Sequence, residues 1–174
     1  MKLYKRMNPW LYAIYLGIIA LGIVIDQISK MIVVEYLKPV YDVPLWEGVF
    51  HFTYHENSGM AFGMLPGSDE RWIFIVVSLV AITALAAALF LGRIENRLTG
   101  ISVALIVSGG IGNMIDRLSA RATVIDFLNF ELIDFAIFNI ADSIVCIGAG
   151  LMILSLTLEI IQDAKKNKAE QNND

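Results

Sequence analysis

Apolar residues run along this chain in four long blocks, and polar residues gather between them. The first block extends from Pro9 to Ile25 without a charge and continues past Asp26 and Lys30 to Val34. The second, Trp72 to Gly92, and the third, Leu98 to Ile115, hold no charged residue. The fourth, Phe135 to Leu158, is broken only by Asp142. A helix that crosses a bilayer needs about 20 mostly apolar residues. The pattern therefore predicts spans at about 9–34, 72–92, 98–118 and 135–160, within one unit covering 1–163. Segments 35–71 and 119–134 connect them on one side, and the polar tail 164–174 reads as disordered. In the first connector, Val43 to Phe52 mixes β-branched and aromatic residues around a Glu47-Gly48 turn signal, and Val49 to Tyr54 is rich in strand formers. A small hairpin on the membrane surface follows, with Trp46, Phe50, Phe52 and Tyr54 at headgroup level. The expected fold is an all-α membrane bundle of four spans carrying a β-hairpin and loop subdomain.

Composition agrees and narrows the class. Of 174 residues, 57% are apolar and 17% charged, which excludes both a water-soluble globule and a disordered segment. A net charge of −4 leaves no electrostatic footprint for nucleic acid. Cys146, the single cysteine, has no internal partner for a disulfide. Orientation is read from Lys and Arg near the span ends. Lys2, Lys5, Arg6, Arg93, Arg97, Lys165, Lys166 and Lys168 fall on one side, against Lys30, Lys38, Arg71, Arg117 and Arg121 on the other. Both termini are thus expected in the cytoplasm, and the two connectors face outward. The first block has a basic start, but its apolar core is long and lacks an A-x-A-like site. It reads as a retained span rather than a cleaved signal.

Ionisable groups within spans cost about 2.5–3.5 kcal/mol each on insertion scales, so they point to function by default. Here they concentrate at the outward ends of spans one, three and four. Asp26-Gln27-Ile28-Ser29-Lys30 ends span one, and Asp26 and Lys30 share a helix face, as a structural ion pair or as groups that orient a substrate. Glu56-Asn57-Ser58-Gly59-Met60-Ala61-Phe62-Gly63 forms a turn-rich loop whose backbone can approach a ligand closely. Span three ends with Gly109-Gly110-Ile111-Gly112-Asn113-Met114-Ile115-Asp116-Arg117, where Asn113, Asp116 and Arg117 face one way. An Asp116–Arg117 pair would cap that span, whereas Asn113, one turn deeper, requires a polar partner. Val124-Ile125-Asp126-Phe127 sets a carboxylate in an apolar stretch of the second outward loop. Phe138-Asn139-Ile140-Ala141-Asp142-Ser143 opens span four, with Asn139 and Asp142 on one face. Asp142 stands seven residues past Phe135, about 10 Å along a helix, and span four supplies it no cation.

Asp126 and Asp142 lie sixteen residues apart across a short connector, so the fold can bring them together. Two carboxyls in one low-dielectric pocket resist double ionisation and share a proton. The ionised one can take a proton from water while the neutral one polarises a carbonyl, with no metal or nucleophilic side chain required. His51 and His55 invite a zinc reading, but they sit in a strand-like segment without an H-E-x-x-H order. A serine paired with either histidine lacks the glycine pattern of a nucleophile elbow.

On these residues the chain resembles the lipoprotein signal peptidases, the type II signal peptidases of bacteria. The resemblance covers about Ile25 to Gly148 and rests on four motifs in order: Asp26-Gln27-Ile28-Ser29-Lys30; Asn57-Ser58-Gly59-Met60-Ala61-Phe62-Gly63; Gly112-Asn113-Met114-Ile115-Asp116-Arg117 with Val124-Ile125-Asp126-Phe127; and Phe138-Asn139-Ile140-Ala141-Asp142-Ser143. It implies a four-helix membrane aspartyl peptidase that needs no cofactor or metal. Such an enzyme cuts prolipoproteins just before a diacylglyceryl-modified cysteine, works among membrane lipids, and is expected to be a monomer. By motif match the catalytic pair is Asp126 and Asp142. Substrate-contacting roles fall on Asp26, Lys30, Asn57, Gly59, Asn113, Asp116, Arg117 and Asn139. Asn57 and Arg117 would hold the substrate backbone, and Asp116 would position Arg117 or close the site. Three features depart from the family's pattern: Glu56 replaces a common basic residue, Met60 a small one, and Ala122-Thr123 stand where glycine is frequent. The first two would act where the outward loop closes over substrate.

Two other classes compete with a peptidase. A small proton-coupled transporter would use the same carboxylates as a relay, but it requires matching polar groups along the inner halves of the spans, and these are few. A scaffold subunit without chemistry leaves Asp142 unexplained.

Overall fold

The computed structural model describes residues 8–59, 71–133 and 135–171. Met1 to Met7, which include the basic residues used for orientation, and the loop segment from Met60 to Gly63 lie outside the described residues. Helix α1 (Pro9–Ile32) begins at a built cap, in which the Asn8 side chain accepts from the Trp10 N–H and Pro9 occupies the first turn. The helix runs on through a π-helical turn, Val33–Leu37, so span one is a few residues longer than its apolar block suggested. Next come β1 (Asp42–Trp46) and β2 (Phe50–Asn57), then α2 (Arg71–Phe90), α3 (Arg97–Leu118), β3 (Val124–Asn129) and α4 (Ile140–Gln171). All four helices are long and apolar enough to cross a membrane.

Helix α3 is the hub of the bundle and packs against α1, α2 and α4. Its buried face mixes small residues with valines: Gly100, Ser102, Val103, Ala104, Val107, Ser108, Gly109 and Gly112. Small side chains let helix backbones approach one another, which drives association where lipid supplies no hydrophobic difference. At Gly109 an added Cβ would fall 2.3 Å from the Ala141 carbonyl oxygen of α4, so this crossing admits only glycine. Tyr15, Ile19, Leu89, Val103, Ala104 and Val107 fill the bundle core. The outer faces of α1, α2 and α4 expose Leu16, Leu21, Val76, Val80 and Ile153, as lipid-facing helices do.

At one end of the bundle lies a three-stranded antiparallel sheet in the order β1-β2-β3. The hairpin turns at Glu47-Gly48, as expected, with Gly48 at φ +68. Its third strand departs from the sequence reading: Val124 to Asn129 is a strand, not a loop, and pairs with β2 so that Glu56 faces Ile125 and Asn57 faces Val124. This strand is itself the core of the sheet layer, where Ile125 and Phe127 pack with Val33, Leu37 and Tyr54.

The start of span four also differs. Residues 135–139 are not helical, and Phe138 bridges Leu128 on the edge of the sheet. Phe138 stacks on Phe130 at 5.9 Å and meets Phe135 edge-on at 5.7 Å, an aromatic cluster that a hydropathy pattern cannot tell from helix. Helix α4 then starts at Ile140 because Asn139 and Asp142 close a reciprocal cap: Asn139 Oδ1 accepts from the Asp142 N–H at 3.0 Å, and Asp142 Oδ2 from the Asn139 N–H at 3.1 Å. Asp142 therefore sits in the first turn, half-buried, and not two turns down a helix. The tail is helical as far as Gln171, continuing α4 instead of fraying after Asp163.

Candidate active site

The ends of α1, α3 and α4 and the strands β2 and β3 converge on one cluster of polar side chains. Asp126, on β3, is 1% exposed. Its Oδ1 accepts from Asn139 Nδ2 at 2.6 Å and its Oδ2 from Asn57 Nδ2 at 2.9 Å. The amide of Asn57 is fixed at its other end, because its Oδ1 accepts from the Gly59 N–H at 2.9 Å. Gly59 adopts φ +87, a conformation that glycine reaches at no steric cost. Asp142 Oδ1 accepts from Asn113 Nδ2 at 2.7 Å, while its second oxygen serves the helix cap. Asn139 is the link between the two acids: its Nδ2 also reaches Asn113 Oδ1 at 3.0 Å. N–H donors of Asn113 and Asn139 accompany Asp142, and the Arg117 charge acts on it from nearby.

Burial pushes the Asp126 carboxyl up to about 6. The hydrogen bond from Asn57 opposes that rise, the negative charge of Asp142 adds to it, and Asn139 and Lys30 counter it.

Behind this pair lies a buried ion cluster that the sequence reading had divided differently. Lys30 is 2% exposed, and its Nζ lies 2.9 Å from Asp26 Oδ2, 2.8 Å from Asp116 Oδ2 and 3.0 Å from Asn113 Oδ1. Asp116 thus pairs with Lys30 and not with Arg117. Each acid of the cluster also holds a backbone N–H next to one of the two candidate catalytic residues. Asp26 Oδ1 accepts from Ala141 at 3.0 Å, beside Asp142, and Asp116 Oδ2 from Ile125 at 3.4 Å, beside Asp126. Asp26, Lys30 and Asp116 satisfy one another's charges and expose almost no surface. Gln27 received no role from the sequence, yet its Nε2 donates to Asp26 Oδ2 (3.0 Å), the Gly112 carbonyl (3.2 Å) and Asp116 Oδ1 (3.3 Å). A polar side chain beside Asp26 inside an apolar span was the available signal.

Arg117 turns the other way. Its Nη1 donates to the Asn113 carbonyl at 3.4 Å, and its guanidinium lies 5.7 Å from the ring centre of Phe74 on α2. It remains close enough to feel the charges of Asp142, Asp126 and Asp116. Neither histidine side chain hydrogen-bonds to the two acids among the described residues, although His55 stands opposite Asp126 in the β2–β3 register. His51 Nδ1 sits 2.9 Å from Asp42 Oδ2, whereas His55 is exposed, four strand positions or about 13 Å further along. Glu56 is bound by Lys38 (3.1 Å), Tyr54 and Thr123 (3.2 Å), which hold its carboxyl below the usual range and brace the strand next to Asn57. Ala122 has φ +60, a left-handed conformation costly for any residue with a Cβ, where the resemblance led us to expect glycine.

A bundle of four membrane-length helices that encloses a two-carboxyl site beneath a small sheet defines the class: a multi-pass membrane protein with an enzyme-like centre. The comparisons then place it. The sequence profile of the Signal peptidase (SPase) II family matches residues 18–158, and the chain belongs to that family. It is 39% identical to a lipoprotein signal peptidase of Brevibacillus brevis over 91% of this chain and 99% of that one. The lipoprotein signal peptidase of Nostoc punctiforme is 43% identical over 75% and 81%. Two solved structures of a bacterial membrane enzyme, determined in meso at 2.3 and 1.9 Å resolution, superpose with TM-scores of 0.74 and 0.76 at 28% identity. They cover 85% and 88% of this chain and 90% and 97% of their own. The protein is accordingly a bacterial membrane peptidase.

Proposed function

We propose that this chain removes signal peptides from diacylglyceryl-modified prolipoproteins, cutting before the lipidated cysteine, and that Asp126 and Asp142 activate the attacking water. The observation that carries this reading is the convergence of the two acids on Asn139, in a chain that belongs to the signal peptidase II family. With the sheet end facing outward and both termini in the cytoplasm, the scissile bond reaches the pair at the outer leaflet while the acyl chains stay in lipid.

The two carboxyls have unequal roles. Asp142 lies in the first turn of α4, where its two oxygens accept from Asn113 Nδ2 and the Asn139 N–H. Asp126, buried and raised to about 6, carries the proton in the reacting form. Asp142 takes a proton from water as the oxygen attacks the scissile carbonyl carbon, and Asp126 gives its proton to the carbonyl oxygen. A tetrahedral diol results. When it collapses, the C–N bond breaks, the amine of the lipidated cysteine receives the proton held by Asp142, and the diol returns one to Asp126. Asn57, Gly59 and Arg117, at the rim, hold the substrate backbone; Asn113 and Asn139 set the two carboxyls. Asp26, Lys30 and Asp116 keep the strand and helix that bear them in register.

The test is incubation of purified protein with a diacylglyceryl-modified precursor in lipid, with and without a chelator. Release of a product whose first residue is the lipidated cysteine, at equal rates in both arms, supports the reading. Chelator-sensitive cleavage, or no cleavage at all, refutes it.

A further inference from the structure

Helix α2 holds no charged residue between Trp72 and Phe90, yet its Phe74 side chain reaches the site. Phe74, in its first turn, touches both rim elements that flank Asp126. On one side its ring packs so tightly against Gly59 that an added Cβ there would come within 2.9 Å of Phe74 Cδ2 and Cε2. Gly59 closes the turn that fixes the Asn57 amide, and Asn57 donates to Asp126. On the other side the Arg117 guanidinium lies 5.7 Å from the ring centre, within cation–π range. Among the described residues that guanidinium makes one long hydrogen bond, 3.4 Å to the Asn113 carbonyl. The aromatic face holds this cation at the rim, and its place there decides how strongly its charge acts on the two acids.

We propose that Phe74 is a positioning residue that sets the Arg117 guanidinium and the Asn57–Gly59 turn against the carboxyl pair. The inference rests on the peptidase reading above and adds to it an apolar residue of helix α2. A ring is required here, not merely bulk. An aliphatic side chain fills the gap beside Gly59 but has no negative face to hold a cation. Freed from the ring, Arg117 moves away from the acids, and loss of a nearby positive charge favours their neutral forms.

The experiment compares wild type, Phe74→Leu and Phe74→Tyr by steady-state cleavage of a diacylglyceryl-modified precursor in lipid across a range of pH. Phe74→Leu should lower kcat about tenfold, raise KM as the backbone-holding rim loosens, and shift the pH profile of kcat/KM to higher pH. Phe74→Tyr should restore wild-type kcat and the wild-type profile. Should Phe74→Leu fail to assemble, Phe74→Met removes the ring with a more adaptable side chain and is held to the same outcome. An unchanged kcat and pH profile in the aliphatic variants, or a Tyr variant as impaired as they are, overturns the proposal while wild-type cleavage leaves the peptidase reading standing. Wild-type protein that cleaves nothing overturns both.

Discussion

Asp126→Asn removes an ionisation while preserving shape, and the structure fixes the size of the effect. Burial holds this carboxyl at about 6 in the fold, against 3.8 when unperturbed. At about 1.4 kcal/mol per pH unit, ionising it inside the protein costs about 3 kcal/mol more than in the unfolded chain. The folded state therefore binds the proton more tightly. That contribution is fully present below pH 3.8 and is lost as pH rises through about 6. Asparagine never ionises, so its variant escapes the loss. It presents one oxygen and one amide group to the two donors, Asn57 and Asn139, and the mismatch offsets about 1–2 kcal/mol of the gain. Unfolding midpoints in detergent, followed for both proteins from about pH 4 to about pH 7.5, give the answer. Wild type should lose about 2–3 kcal/mol relative to Asp126→Asn over that interval, leaving the inactive variant at least as stable as wild type near neutrality. Parallel curves for the two proteins would refute the assignment of a high-pKa proton to Asp126.

Three further changes separate structural roles from chemical ones. Asp142→Asn weakens the reciprocal cap of α4 and should lower stability by about 1 kcal/mol, opposite in sign to the effect at Asp126, as thermal unfolding will show. Lys30→Met strands Asp26 and Asp116 as buried anions and should cost about 3–5 kcal/mol, read as loss of monodisperse protein after extraction; adding Asp116→Asn should recover part of it. Ala122→Gly relieves a left-handed backbone and should raise stability by about 1 kcal/mol in thermal unfolding, without altering turnover.

Hydropathy made the four spans legible because each is a long uninterrupted apolar block, and the polar residues that gather at the site stood out against that background. What pattern could not supply was partnership across elements. Val124 to Asn129 has strand composition, but only its pairing with β2 makes it a strand and carries Asp126 into the core. The start of α4 is set by one pair of hydrogen bonds between Asn139 and Asp142, invisible to a pattern that counts Phe135 to Phe138 as span. Spacing placed Asp116 next to Arg117, whereas the fold gives it to Lys30, eighty-six residues earlier in the chain. Phe74 had no signal at all: one aromatic in an apolar helix differs from its neighbours only by what it touches.

The account stands or falls on whether both acids are needed for the cut. Wild type, Asp126→Asn and Asp142→Asn, inserted to equal levels in the same vesicles, should be given one diacylglyceryl-modified precursor and its products weighed by mass spectrometry. We expect the mature lipoprotein from wild type alone, and uncut precursor from each variant. Mature product at the wild-type rate from either variant would contradict the two-carboxyl mechanism.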